Sequence, residues 1–275
     1  MKRLPKPPKA YKDIEFLSSP EARIIRIMAE FIGPGRKFRK ANVRDTIVFF
    51  GSARVKPRKE ALRHLRGVQS RMPVRPAKRH LKALREAQIA VEMSGYYEDT
   101  VELSRRLTEW SRGLKSPNRF VVCSGGGPGI MEAANKGAYL AGGKSIGMNI
   151  SLPFEQFANG FITPDLNFEF HYFFLRKFWF AYLAKALVIF PGGFGTLDEL
   201  MEVLTLLQTG KIKKKMTVVI YGTSYWKNVL DFDEMIRHGV ITQEDMKLFT
   251  FCDTPDEAFR HLKTHLMKNY PEPEL

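Results

Sequence analysis

From Thr46 onward the chain alternates short runs of β-branched or aromatic residues with longer stretches of helical periodicity, and this alternation constrains the fold more than any other feature. Residues 46–50, 119–123, 144–149, 186–190 and 216–221 read as strands, with Phe249–Cys252 as a short strand at an edge. Continuous apolar strands separated by helices form a parallel sheet covered on both faces. The expectation is an α/β fold with a Rossmann-like, doubly wound parallel sheet and helices on both faces. Three strands end in glycine: at Gly51-Ser52, at Ser124-Gly125-Gly126-Gly127, and at Pro191-Gly192-Gly193. Ligands of such sheets sit at the carboxyl ends of the strands. Three glycine-marked ends therefore predict one shared crevice.

Two segments stand outside the alternation. Residues 1–45 hold a Lys/Pro-rich tail and a helix expected over 20–32, stopped by Gly33-Pro34-Gly35. Residues 55–92 interrupt the short turn after the first strand; they read as helical, broken near Pro73 and Pro76, and run on into a long helix through Trp110. The domain reading is a basic N-terminal extension, 1–45, and a Rossmann-like nucleotide-binding domain, 46–275, with a basic helical insert at about 55–92.

The formal net charge of +15 follows that division. Residues 1–44 carry 12 Lys and Arg against 4 Asp and Glu, residues 54–86 carry 12 against 2, and the remainder carries 20 against 23. The basic character belongs to two attachments. They offer nucleic acid or another anionic surface a partner face, or else form solvated helix faces or a subunit contact. Cys123 and Cys252 alone imply no disulfide framework and a reducing compartment. The first residues lack the apolar stretch of a signal peptide, and the apolar run 178–190 is broken by Lys185 and too short for a bilayer. A cytoplasmic protein with no membrane partner is expected.

Exposed backbone N–H groups at a helix start bind anions, aided by the helix dipole. Glycine lets a phosphate approach closely and supplies positive φ where a turn needs it. Gly192, Gly193, Gly195 and Thr196, between a strand and a helix, fit this description, as do Gly125, Gly126 and Gly127. Neither cluster is a dinucleotide fingerprint, since the pattern fails at Ile130 and at Asp198. Gly143-Lys144-Ser145 resembles the end of a P-loop but leads into a strand, where a P-loop leads into a helix. A smaller nucleotide fits better than NAD or ATP. No cofactor or metal is expected; His261 and His265, four apart on the last helix, lack a third ligand and read as exposed helix residues.

Thr196-Leu197-Asp198-Glu199 matches a helix capping box. A carboxylate in the first turn of a helix feels the positive dipole end, so Glu199 is expected ionised and a poor general acid. Arg176-Lys177, after the aromatic stretch 168–174, reads either as a solvated helix start or as a clamp on phosphate or ribose.

Together, Gly51-Ser52, residues 124–134, Arg176-Lys177 and the complete PGGxGTxxE pattern at 191–199 resemble the Lonely Guy (LOG) family. The similarity runs from about Thr46 to Ile241, apart from 55–90, and stretches 145–156 and 173–212 look like its bacterial branch. The resemblance implies hydrolysis of the N-glycosidic bond of a nucleoside 5′-monophosphate, AMP-like or a cytokinin ribotide, giving free base and ribose 5-phosphate. It places the catalytic pair at Arg176 and Glu199. Substrate binding falls to Gly51, Ser52, Gly125, Gly126, Gly127, Glu132, Lys177, Gly192, Gly193, Gly195 and Thr196. It also implies a homodimer. An old lysine-decarboxylase label attaches to the family, but no Schiff-base constellation for pyridoxal phosphate is legible here. A non-catalytic nucleotide sensor using the same crevice is the alternative.

Overall fold

The computed structural model describes residues 6–116, 119–153 and 157–272. The first five residues of the basic tail and residues 154–156 of the family-like stretch lie outside them. Helices α1 (Ile14–Ser18) and α2 (Arg23–Lys40) precede strand β1 (Thr46–Phe50), which is followed by α3 (Arg58–Ser70) and α4 (Lys78–Arg112). Next come β2 (Val121–Ser124), α5 (Ile130–Leu140), β3 (Ser145–Ile150), β4 (Asn167–Phe170) and α6 (Phe173–Leu183). Then follow β5 (Ala184–Ile189), α7 (Phe194–Gln208), β6 (Thr217–Tyr221), α8 (Thr223–Val229), α9 (Phe232–Arg237), β7 (Phe249–Cys252) and α10 (Pro255–Asn269).

The strands form one parallel sheet in the order β4-β3-β2-β1-β5-β6-β7. From β1 the chain builds outward to β4, then returns to the other side of β1 with β5. The topological switch point, where ligands bind in such sheets, thus lies between β1 and β5. Alternate side chains of each strand feed opposite cores. Ile47 and Phe49 pack with α4, α5 and α10, whereas Val48 and Phe50 pack with α2, α6 and α7. The expected doubly wound α/β fold is what the chain adopts. Among the described residues no helix is long and apolar enough to cross a membrane.

Three elements differ from expectation. Gly33-Pro34-Gly35 does not stop α2, which continues to Lys40. Pro34 has no N–H for the carbonyl of Glu30, four residues back, and Trp179 of α6 supplies the missing donor, its Nε1 lying 3.1 Å from that oxygen. A Cβ on Gly35 would stand 3.0 Å from the Trp179 ring, so the glycine lets α6 approach. The Glu30 carboxylate also accepts from the N–H groups of His171 and Tyr172, anchoring the two residues that lead into α6. The second difference is β4, read above as part of an aromatic stretch; its alternation buries Phe168 and Phe170 and exposes Asn167 and Glu169. The third is the stretch from about 225 to 238, whose sequence reads as one helix; it is split into α8 and α9 because the Asp231 carboxylate accepts from Glu234 N–H at 2.9 Å and starts a new helix.

Candidate active site

The ends of β1, β2 and β5 are joined by backbone hydrogen bonds. Ser52 N–H donates to Pro191 O at 3.0 Å, and Ile130 N–H donates to Ser52 O at 3.1 Å. The fit leaves no room for side chains: a Cβ on Gly51 would lie 2.7 Å from Ile130, and Gly129, at φ +71°, abuts the Ser52 carbonyl. Beside this junction is a cavity of about 570 Å³. Gly51, Ser52, Arg176, Gly192, Gly193, Gly195, Thr196 and Glu199 line it, so eight of the residues singled out in the sequence share one space.

The turn into α7 forms one wall. Gly193 is the N-cap and no side chain caps the helix, so the N–H groups of its first residues lack an intrahelical acceptor. Gly193, Phe194 and Gly195 are exposed, and a Cβ on Gly193 or Gly195 would meet nothing within 4 Å. These glycines therefore leave open the space in front of the N–H groups, where an anion fits. Tyr225 fixes the turn from behind by donating its hydroxyl to Gly192 O at 2.8 Å.

The capping box does not form. Because α7 starts at Phe194, Thr196 and Glu199 lie inside it, and Glu199 is its sixth residue. The dipole effect fades beyond the first turn, and Glu199 is only 7% exposed. Burial pushes its carboxyl up to about 7, against the pull of Arg176 and Lys177. The expectation of a firmly ionised, dipole-stabilised carboxylate is corrected: desolvation wins.

Arg176 sits in the first turn of α6 with its guanidinium carbon 5.2 Å from the Phe180 ring centre and 5.8 Å from that of Phe173. Burial lowers its pKa and the Glu199 carboxylate opposes that; arginine nonetheless keeps its charge. Its Nε is buried without a partner. A desolvated guanidinium with a spare N–H beside an uncapped helix start is an anion-binding arrangement.

Five of the expected binding residues are elsewhere. Lys177 is turned from the cavity and pairs with Asp198 at 2.8 Å and Glu202 at 3.0 Å, joining α6 to α7. Glu132 accepts from the Tyr97 hydroxyl at 2.6 Å, joining α5 to α4. Gly125 backs the site, since a Cβ there would stand 3.1 Å from Arg176 Nη2. Gly126 adopts φ +78°, and its carbonyl and that of Gly127 accept from the Asn159 amide at 3.0 and 3.1 Å. His261 and His265 are half-buried rather than exposed, with Nε2 atoms 2.9 Å from Thr217 Oγ1 and from Lys215 O.

Other lining residues escaped the sequence reading: Arg54, Met93, Met131, Phe173 and Tyr225. Gly222, at φ +90° after β6, marks a fourth glycine-bearing strand end and was a legible pointer to Tyr225. Nothing in the sequence points to Met93, which reaches the cavity from the insert helix α4.

A family model described as "Possible lysine decarboxylase" matches residues 131–262. Among the described residues no lysine lines the cavity, so the side chains present do not fit a pyridoxal-phosphate Schiff base. The chain is similar to a probable cytokinin riboside 5′-monophosphate phosphoribohydrolase of Oryza sativa subsp. japonica, 26% identical over 62% of this chain and 77% of that protein. A cytokinin riboside 5′-monophosphate phosphoribohydrolase of Arabidopsis thaliana is also 26% identical, over 62% of this chain and 76% of its own length. Among solved structures, the molybdenum cofactor binding protein of Rippkaea orientalis is similar at a TM-score of 0.49 and 14% identity, covering 80% of this chain and 97% of that one. Motif, family model and relatives agree: this chain is similar to the LOG family, and the relatives named here are phosphoribohydrolases.

Proposed function

We propose that this protein hydrolyses the N-glycosidic bond of nucleoside 5′-monophosphates, releasing the free base and ribose 5-phosphate. The observation that carries the reading is the meeting of Arg176 and Glu199 in one cavity with the uncapped start of α7. The 5′-phosphate lies against the N–H groups of Gly193 to Gly195, with Arg176 countering its charge. The flat base lies among the apolar side chains of Met93, Phe173 and Tyr225.

Breaking a ribosyl C–N bond builds positive charge on the sugar, by analogy with glycoside hydrolysis. Glu199, once ionised, stabilises that charge and takes the proton of the attacking water. The water oxygen bonds to C1′ while the C–N electron pair leaves with the base, which takes up a proton in turn. Purified protein given AMP, GMP, CMP, UMP and a cytokinin ribotide is expected to release base and ribose 5-phosphate from at least one. Glu199→Gln is expected to lower kcat by roughly 10²–10⁴-fold, and Arg176→Ala to lower kcat/KM by on the order of 10²-fold. Thermal stabilisation by nucleotide with no product on long incubation would overturn hydrolysis and leave a binding protein.

The active unit is a homodimer. The exposed rings of Phe174 and Tyr182, with Phe178, Leu206 and Ile212, form an apolar groove on the α6–α7 side, next to the site. Glu202, which pairs with Lys177, and Lys211, Lys213 and Lys214 complete the lining, so the apolar face has a polar margin such as a contact with a second copy would use.

A further inference from the structure

The insert after β1 folds as a helical hairpin, α3 and α4, with a cleft of about 610 Å³ between them. Arg63, His64 and Gly67 of α3, with Arg71 just past its end, face His80 and Ala83 of α4 across it, and Glu60, Val68 and Met72 complete the lining. Twelve Lys and Arg fall within residues 54–86. Only Lys56 and Lys82 find carboxylates, Glu60 at 3.1 Å and Glu86 at 3.9 Å. The other ten cations form no ion pair with a described residue. Internal pairing therefore does not account for this charge, and solvation of so dense a patch works against its own repulsion.

We propose that the α3–α4 cleft is a docking surface for the phosphate backbone of double-stranded nucleic acid, held by charge and indifferent to sequence. Three features select this partner. Arg63 on α3 and Arg71 at its C-cap both line the cleft, eight residues or about 12 Å apart at the helical rise, so their charges are spread to meet separate phosphates and do not converge on one small anion. Residues 54–92 contain no Phe, Tyr or Trp, so there is no platform on which unpaired bases could stack. None of the exposed large hydrophobic side chains belongs to α3, so that helix has no apolar face to enter a lipid interface. The surface lies apart from the catalytic pair, yet Arg54, at the root of the hairpin, lines the nucleotide cavity.

The test is fluorescence anisotropy of the full chain with labelled duplex RNA, duplex DNA and the corresponding single strands, titrated with salt between about 50 and 200 mM. Duplexes of unrelated sequence are expected to bind alike, more tightly than single strands, and with affinity falling steeply as salt rises. Arg63→Ala with Arg71→Ala is expected to reduce the slope of log K against log salt by about 2. A near-native melting temperature of the double variant shows that it folds, whether or not the protein hydrolyses nucleotides. Failure to bind duplex at the lowest salt, a preference for single strands, or a slope unchanged by the double substitution would overturn the proposal. So would retention on vesicles of anionic phospholipid without any binding of duplex.

Discussion

At the scale of single residues the cavity is governed by a contest at Glu199. Burial raises its carboxyl to about 7 while Arg176 and Lys177 pull the other way, so the group titrates in the neutral range. If its anion accepts the proton of water, kcat/KM should rise with pH along a limb centred near 7 and flatten above it, a profile that a steady-state pH series would display. Glu199→Gln should lose that limb together with most of the activity. The same shift has a stability signature. The folded pKa lies above the unfolded 4.5, so the native state holds the proton more tightly. Wild-type stability therefore falls relative to Glu199→Gln as pH rises from about 4.5 to about 7, by up to about 3 kcal/mol, and the gap is constant outside that window. Denaturant unfolding of both proteins across this range would measure it. None of this was legible in Thr196-Leu197-Asp198-Glu199, because the spacing of a capping box is the same whether the N-cap is Thr196 or, as here, Gly193, about one turn earlier. One turn of displacement converts a solvated cap into a buried carboxyl. Arg176 was legible as a candidate but its partnerless Nε was not, since its burial depends on the end of β2, far off in the sequence, where Gly125 backs the guanidinium.

At the scale of elements, the helix bearing Arg176 is located by one that has no catalytic residue. Glu30 of α2 holds the two residues before α6 through its carboxylate, and its carbonyl accepts the Trp179 indole N–H at 3.1 Å. Trp179→Phe removes that donor and leaves Glu30 O, already deprived by Pro34, without its partner. The expected cost is about 1–3 kcal/mol, read as a lower denaturation midpoint with an unchanged slope. Faster hydrogen exchange is expected at the start of α6. A midpoint equal to wild type would show that water replaces the indole. The strands and their glycine ends were readable because buried parallel strands announce themselves as apolar runs. Pro34 misled because its local cost was visible and the compensating Trp179, some 145 residues away, was not. The short edge strand β4 carries its signal in only four alternating residues, which a neighbouring run of aromatics concealed.

At the scale of the whole molecule, the chain leaves a contiguous apolar surface beside its site. Phe174 and Tyr182 are 55% and 59% exposed, and Tyr182 stacks on Phe178 at 5.2 Å. A soluble chain rarely shows water such a patch unless something covers it. A two-fold contact would cover the same rings on both copies at once. Sedimentation at micromolar concentration is therefore expected to give twice the mass of the chain. Phe174→Glu with Tyr182→Glu should give a single copy, because like charges then face each other across the axis. Both side chains are largely in solvent within one copy, so the substitutions spare the core and the melting temperature of the dissociated form reports only the lost association. Wild-type protein that sediments as one copy would overturn the assignment. Because Phe173 and Arg176 sit on the same helix as the patch, the dissociated variant is also expected to bind nucleotide more weakly, and a raised KM with little change in kcat would trace that loss to the positioning of α6.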